Sequence, residues 1–152
     1  MANYSVNGTG NQAVAGGSNC GILKLENWSS GPTSTAEIYE FSIGAFGAAS
    51  DNNYSVLCKR TTTTGQWYSQ PAQSLDAKSI IPIASGWRAS STTGTFGGTL
   101  ASWSLNNRGS MRWVAVPGGE LCLPGANSSG IVFEFGYAQS TDLFTACALF
   151  RE

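Results

Sequence analysis

Residues 131–137 have the sequence Ile-Val-Phe-Glu-Phe-Gly-Tyr, and this stretch decides the fold class. Large apolar side chains stand at every second position, which is the spacing of side chains on one face of a β-strand. That row consists of Ile131, Phe133, Phe135 and Tyr137. The alternation predicts a core strand with this row turned inward and Glu134 turned toward solvent or an interface.

The same spacing recurs along the chain, whereas helical periodicity is almost absent. Turn-forming stretches such as Pro117-Gly118-Gly119 separate the runs. The predicted strands are 22–28, 37–46, 54–62, 99–105, 111–116, 120–123, 131–138 and 143–151. In the second of these, Glu37, Tyr39 and Phe41 are predicted to share a face. Eight short strands predict an all-β fold, a jelly-roll-like β-sandwich in a single domain spanning residues 21–152.

Two regions lack this pattern. Residues 1–20 are rich in Gly and Asn and have few apolar anchors, which predicts a flexible N-terminal arm that becomes ordered against a partner. Residues 65–98 scatter aromatic residues among Ser, Thr and Gln and contain Pro71 and Pro82. This second region is predicted to be mainly an irregular connection.

The last predicted strand has two apolar rows instead of one. One row contains Phe144 and Phe150, and the other contains Leu143, Cys147 and Leu149. Two apolar faces predict burial on both sides, by the core and by another subunit. We therefore take Phe144 and Phe150 as candidate interface residues.

Charge and composition limit the partners. The net charge is -1 and only 11% of the residues are charged, so no basic surface is available to bind nucleic acid. No apolar run is long enough for a membrane helix, and the N-terminus has no secretory leader pattern. We expect a soluble protein, with neither nucleic acid nor membrane as a partner.

The residues that most catalytic sites use are scarce. The chain has no histidine, which excludes Ser-His-Asp, Cys-His and histidine-metal sites. Two carboxylates could still catalyse glycoside hydrolysis without histidine. The positions of the Asp and Glu residues in the sequence, however, do not indicate that any two of them share a site. Four cysteines without a Cys-x-x-Cys pair do not predict a zinc site; their even number permits disulfides, although we expect free thiols. We predict no enzyme activity, no metal and no cofactor.

Aromatic and arginine residues supply two open interpretations. Trp67, Tyr68 and Trp87 are candidates for an exposed aromatic surface that binds sugar, or for anchors of subunit contacts. Trp103 and Trp113, at alternating strand positions, are expected in the core. Arg108 and Arg112 flank a turn close to Glu120, which predicts either a salt bridge that fixes the corner or an inter-subunit pair.

Several segments also resemble a known family. They are EIYEFSIG at 37–44, SDN at 50–52, LNNR at 105–108, RWVAVPGGEL at 112–121 and NSSGI at 127–131. In these segments the chain resembles a group of small structural proteins of tailed bacteriophages, the capsid decoration or cement proteins, over residues 36–151. The segment at 112–121 is the most specific part.

The resemblance implies a role and partners. It implies a jelly-roll protein that assembles as an oligomer, often a trimer, over junctions of the major capsid protein on the outer surface of the virion. Such a protein would be made in the host bacterial cytoplasm. On this basis the N-terminal arm is the expected capsid anchor. The alternative from a different class is a carbohydrate-binding module of a phage fibre or capsid surface, with glycans as partners.

Overall fold

The computed structural model of the chain describes residues 2–13, 20–27, 35–46, 53–61, 67–76, 84–89, 96–106, 108–123, 129–137 and 143–152. Within these ranges the chain forms strands and turns, and no helix there could cross a membrane. The strands are β1 Asn3–Ala13, β2 Cys20–Asn27, β3 Ala36–Phe46, β4 Asn53–Thr61, β5 Trp67–Gln70, β6 Gln73–Ser74, β7 Ala84–Ala89, β8 Phe96–Asn106, β9 Ser110–Val114, β10 Leu121–Leu123, β11 Ser129–Tyr137 and β12 Leu143–Arg151.

The strands form two antiparallel sheets. Sheet 1 has the order β10-β3-β12-β1-β6, with β9 also paired to β3, and sheet 2 has the order β5-β7-β2-β11-β4-β8. Buried side chains from both sheets make one hydrophobic core. The prediction of an all-β sandwich is therefore confirmed.

The core lies where the two sheets face each other. Phe41 of sheet 1 and Phe133 of sheet 2 stack with ring centroids 3.8 Å apart and planes 2° from parallel. Ile131 and Phe135 are buried on the same face as Phe133, so the predicted core row is confirmed for these three positions. The side chain of Tyr137 lies outside the described residues.

The N-terminal residues do not form the predicted arm. Residues 3–13 form β1, which lies inside sheet 1 between β12 and β6. Tyr4 and Val6 are fully buried, and the Tyr4 ring stacks on Phe150 at 5.3 Å. The prediction is wrong because two apolar side chains, at alternating positions, are enough to place this polar segment between two partner strands. Residues 14–19 lie outside the described part of the chain.

The predicted connection at 65–98 also contains strands. β5 and β7 extend sheet 2 beyond β2, and β6 extends sheet 1 beyond β1. Gly86 of β7 packs so closely on β1 that a Cβ built there would lie within 2.6 Å of both Val6 methyl groups. A glycine is therefore needed where this added strand meets the core.

The inward and outward positions of β3 exchange at Tyr39, so the predicted alternation does not hold along the whole strand. Leu149 pairs with Glu40 and Phe150 pairs with Ile38, which leaves Tyr39 as an extra residue in the register. Such a bulge reverses the order of inward and outward positions. Ile38 and Phe41 consequently both face the core, whereas the uninterrupted pattern placed them on opposite faces.

Candidate interaction surface

One side of the sandwich ends in two edge strands. β8 is the last strand of sheet 2, and β9 pairs only with β3 among the described strands of sheet 1. A tight turn joins them, in which Gly109 N donates to Asn106 O at 2.9 Å and Arg108 N donates to Asn106 Oδ1 at 2.9 Å. The β8–β9 edge, comprising residues 97–106 and 110–116, therefore has one edge strand from each sheet.

Two tryptophans fill the gap between the sheets at this edge. Trp103 of β8 and Trp113 of β9 are both half-buried, with ring centroids 6.2 Å apart. The Trp103 ring also lies 6.4 Å from the ring of Phe41. Both residues pack against the core as expected, and each is only partly buried.

Apolar side chains are exposed along the same edge. Among the described residues, the exposed large hydrophobic side chains are Leu75, Leu100, Val114 and Val116. Leu100 is 42% exposed, Val114 52% and Val116 73%, and all three belong to the β8–β9 edge. Leu75 follows β6 at the opposite edge of sheet 1. The sequence did contain a signal for this surface, because two of the three outward positions of 111–116 are apolar, Val114 and Val116, beside Arg112.

Arg112 lies on this edge, but its partner is not the predicted one. Its guanidinium donates to both carboxylate oxygens of Glu40, each at 2.8 Å. The hydrogen bonds from Arg112 hold the pKa of Glu40 below its ordinary value, against the opposing effect of burial, and the same contact raises the pKa of Arg112. The ion pair joins β9 to β3 diagonally: Arg112 lies opposite Ser42 in the strand register, two residues along β3 from Glu40.

Glu120 belongs to a different ion-pair group. Its Oε1 accepts from Arg151 Nη2 at 2.9 Å, and Arg151 Nε donates to Glu37 Oε2 at 2.7 Å. Arg112 and Glu120 therefore do not pair with each other in the chain. Glu120 fixes the end of β12 to the segment before β10, as a structural clamp.

Phe144 and Phe150 are core residues. They are 2% and 0% exposed, and Phe144 lies 4.6 Å from the ring of Phe135. Their candidacy as interface residues is corrected, because in β12 this row faces sheet 2. The outward row is less covered, with Cys147 and Leu149 both half-buried.

A shallow groove of about 520 Å³ lies on the outer face of sheet 1, next to β9. Its walls include Asn7, Ser42, Gly44, Ser110, Arg112 and Cys147. The strand register places Asn7, Cys147, Ser42 and Arg112 in one row across four strands. Small side chains in that row leave the sheet face concave beside the β8–β9 edge.

The cysteines of the described residues carry free thiols. Cys58 is buried in the core, Cys147 is half-buried and Cys122 is exposed. Burial raises the pKa of Cys58 to about 12, and burial followed by the charge of Glu40 raises the pKa of Cys147. Neither thiol is activated as a nucleophile. The side chain of Cys20 lies outside the described residues.

The described carboxylates are held in structural contacts. Asp76 Oδ2 accepts from Asn3 N, and Glu152 Oε1 accepts from Ala84 N. The other five are in ion pairs with Lys or Arg: Glu26, Glu37, Glu40, Glu120 and Glu134. Asp51 and Asp142 lie outside the described residues. Within the described ranges no three His, Cys, Asp or Glu side chains form a group that could hold a metal ion.

Glu134 is more deeply buried than its alternation predicted. It lies on the outer face of sheet 2, yet its side chain is 0% exposed and Oε1 lies 2.5 Å from Lys59 Nζ. Neither of its oxygens accepts a hydrogen bond of good geometry. A second buried pair, Lys24 with Glu26 at 2.8 Å, lies on the same face. Of the two expected surroundings of Glu134, solvent or an interface, solvent is therefore wrong, because the side chain pairs with Lys59 and is already buried in the single chain.

The candidate sugar-binding aromatics lie on two adjacent strands. Trp67 pairs with Ala89, Tyr68 with Arg88, and Ser69 with Trp87, in β5 and β7. The positions of Trp67 and Trp87 are thus diagonal neighbours on one face of this strand pair. The side chains of all three aromatic residues lie outside the described residues.

Comparison with known proteins returned no relative. The scan against protein-family models, the search of curated proteins and the search of solved structures all found no match.

Proposed function

We propose that this chain is a non-enzymatic structural protein that decorates and stabilises the capsid of a tailed phage, as an oligomer and most simply a trimer, bound over junctions of the major capsid protein. The observation that carries the proposal is the position of the segment at 112–121. This segment carries the most specific part of the resemblance, and it forms most of β9 and the corner that follows, where Val114 and Val116 are exposed.

The strand connectivity supports the jelly-roll form of the sandwich. β1 pairs with β12, β2 with β11 and β4 with β8, as nested antiparallel pairs. β3 lies between β12 and the strands β9 and β10. An eight-stranded roll has this nesting, with β5, β6 and β7 added within the connection from β4 to β8.

The engagement of the carboxylates supports a non-enzymatic role. Each described acid is engaged in an ion pair or accepts a hydrogen bond from a backbone N–H. Glycoside hydrolysis instead needs two acids placed on either side of the bond to be cleaved. The raised pKa of Cys58 and of Cys147 likewise disfavours thiol chemistry.

The position of β1 changes the expected mode of attachment. Residues 3–13 are held in sheet 1 as β1, so we place the anchor on the folded surface and not on an extended arm. A rigid sandwich with an apolar edge suits a repeated shell, because many weak contacts at symmetric sites give durable attachment. The proposal therefore relies on the folded surface rather than on an extended arm.

The test is the presence of the protein on heads of the phage that encodes it. Gradient-purified heads should contain the chain at a fixed ratio to the major capsid protein, and heads made without it should lose DNA at a lower temperature. Adding the purified protein back should restore both properties. Heads that never contain the chain would overturn the proposal.

Glycan binding is the second candidate function. The observation that favours it is the diagonal placement of Trp67 and Trp87 on one face of β5 and β7. Aromatic rings in such a position can stack on sugar rings. A glycan array should then give hits that Trp87→Ala abolishes, and an array without hits at high protein concentration would remove this candidate.

A further inference from the structure

We propose that the β8–β9 edge is the surface through which copies of this chain associate, with the β8 side of one copy against the β9 side of the next. This inference rests on the proposed function and adds to it the location of the contact.

Among the described strands β8 is an edge strand, and its own sequence lacks the residues that usually protect an edge. It is 11 residues long, and its sequence, FGGTLASWSLN, contains no charged residue and no proline. Gly97 and Gly98 are both exposed, and a Cβ built at Gly98 would meet nothing within 4 Å. Proteins normally protect such edges with charges, proline or a covering segment, because unpaired N–H and C=O groups pair readily with another strand. An edge of this length and composition is expected to be covered in the assembled protein.

The side chains of the edge are those of a contact surface. Leu100, Val114 and Val116 are three of the four exposed large hydrophobic side chains in the described part of the chain. Trp103 and Trp113, both half-buried, lie on the same two strands, and their rings pack against each other at this edge. Tryptophan is enriched in the contacts that contribute most to binding, since it buries a large rigid area.

A second copy of the chain fits this edge for two reasons. The unpaired N–H and C=O groups of an edge strand pair best with those of another edge strand. Each copy has two such strands at this edge, β8 from sheet 2 and β9 from sheet 1. The absence of charge on β8 also means that approaching copies place no like charges opposite each other on that strand. In this contact the β8 side of one copy meets the β9 side of the next, which makes the association head-to-tail. Such an association closes into a ring when the rotation from each copy to the next divides a full turn evenly, as in a trimer.

The experiment introduces a lysine at each of three exposed positions: one on β9, one on β8, and one at the opposite edge of sheet 1. Val114→Lys and Ser102→Lys both alter the proposed contact at exposed positions, and Leu75→Lys is the matched control because Leu75 is 53% exposed at the opposite edge. Light scattering behind a sizing column gives the mass of each variant over a wide dilution series, and far-ultraviolet circular dichroism checks that each is folded.

We expect the wild type and Leu75→Lys to have the mass of the oligomer, and both edge variants to have the 15.9 kDa mass of one chain. A wild type that is a monomer at every concentration would overturn the inference, as would edge variants that keep the oligomer. If one edge variant fails to fold, the other decides the outcome. Binding to heads is measured separately, so an oligomer that forms through this edge but never binds heads would refute the proposed function and leave the inference standing.

Discussion

Trp103 and Trp113 approach each other from opposite sheets, with ring centroids 6.2 Å apart and planes tilted by 52°. Because β8 and β9 are both edge strands, these two rings cover the core at this side of the sandwich. The same pair therefore has two roles in the account: it completes the fold of one chain, and it forms the centre of the surface proposed to meet the next.

Replacing Trp113 by alanine should destabilise the folded chain. The substitution removes a ring that packs against Trp103 and the core, and the loss of such a side chain costs about 3 kcal/mol or more when it is well buried. Trp113 is only half-buried, so we expect its free energy of unfolding to fall by about 3 kcal/mol and not by more. Urea unfolding followed by circular dichroism measures the change. A free energy of unfolding equal to that of the wild type would contradict the packing described.

Glu134 and Lys59 should show strong coupling. Glu134→Leu leaves the Lys59 ammonium largely buried without its carboxylate, and breaking such a pair typically costs about 3 to 5 kcal/mol. The double variant Glu134→Leu with Lys59→Met removes both charges and should regain most of that loss. Urea unfolding of the wild type, both single variants and the double variant gives the coupling energy. Additive effects of the two substitutions would show that the pair is not buried together.

Gly86→Ala should destabilise the contact between β7 and β1. A methyl group at position 86 would overlap Val6, and overpacking of this kind costs about 1 to 3 kcal/mol. Adding Val6→Ala should relieve the overlap, although it leaves less apolar area buried. Gly44→Ala is the control, since the nearest atom to a Cβ built there is Ser110 Cβ at 3.7 Å, an ordinary contact. If Gly86→Ala is as stable as Gly44→Ala, the packing of β7 on β1 is not as described.

The cysteines should differ in reactivity. The pKa of Cys58 is raised to about 12 by burial, so its thiolate is scarce at neutral pH and its sulfur is shielded. Cys122 is exposed and should react with iodoacetamide in the native protein before the buried Cys58 does. Peptide mass spectrometry after timed alkylation identifies the modified residues. Early modification of Cys58 without Cys122 would contradict the structure.

The ion pair of Arg112 and Glu40 predicts a defined pH dependence. The pKa of Glu40 is lowered in the folded state, so the folded chain binds fewer protons there than the unfolded chain, and the pair stabilises the fold above the ordinary value of 4.5. That contribution should disappear as pH falls through the lowered value. The free energies of unfolding of the wild type and Arg112→Gln, measured at one protein concentration, should differ at neutral pH and converge in acid. A difference that persists in strong acid would require another cause.

The fold class could be predicted from the sequence because long alternating runs carry their own signal. Phe133 and its neighbours in β11 stand in a run whose period is unambiguous, and the structure buries them. β1 was missed because Tyr4 and Val6 are its only large apolar side chains among Asn, Gly and Thr, and because its strand form depends on β12 and β6. Such pairing is a property of the tertiary structure that local propensity does not contain.

The candidate surface was only partly predictable for a similar reason. The sequence indicated that Arg112 makes an ion pair, but its actual partner, Glu40, is 72 positions away in the chain and lies on the neighbouring strand β3. Glu120 is nearer in sequence and binds Arg151 instead. Proximity along the chain is a poor guide in a sandwich whose neighbouring strands come from distant segments, whereas the outward row of Val114 and Val116 is visible in the sequence itself.

The mass of the purified wild-type protein in solution, by light scattering behind a sizing column, tests the central claim most directly. The account predicts a stable oligomer, with three times the 15.9 kDa mass of the chain as the expected value, that persists on dilution. A monomer at every concentration would contradict self-association through the β8–β9 edge, and it would leave the decoration proposal dependent on assembly that occurs only on the shell.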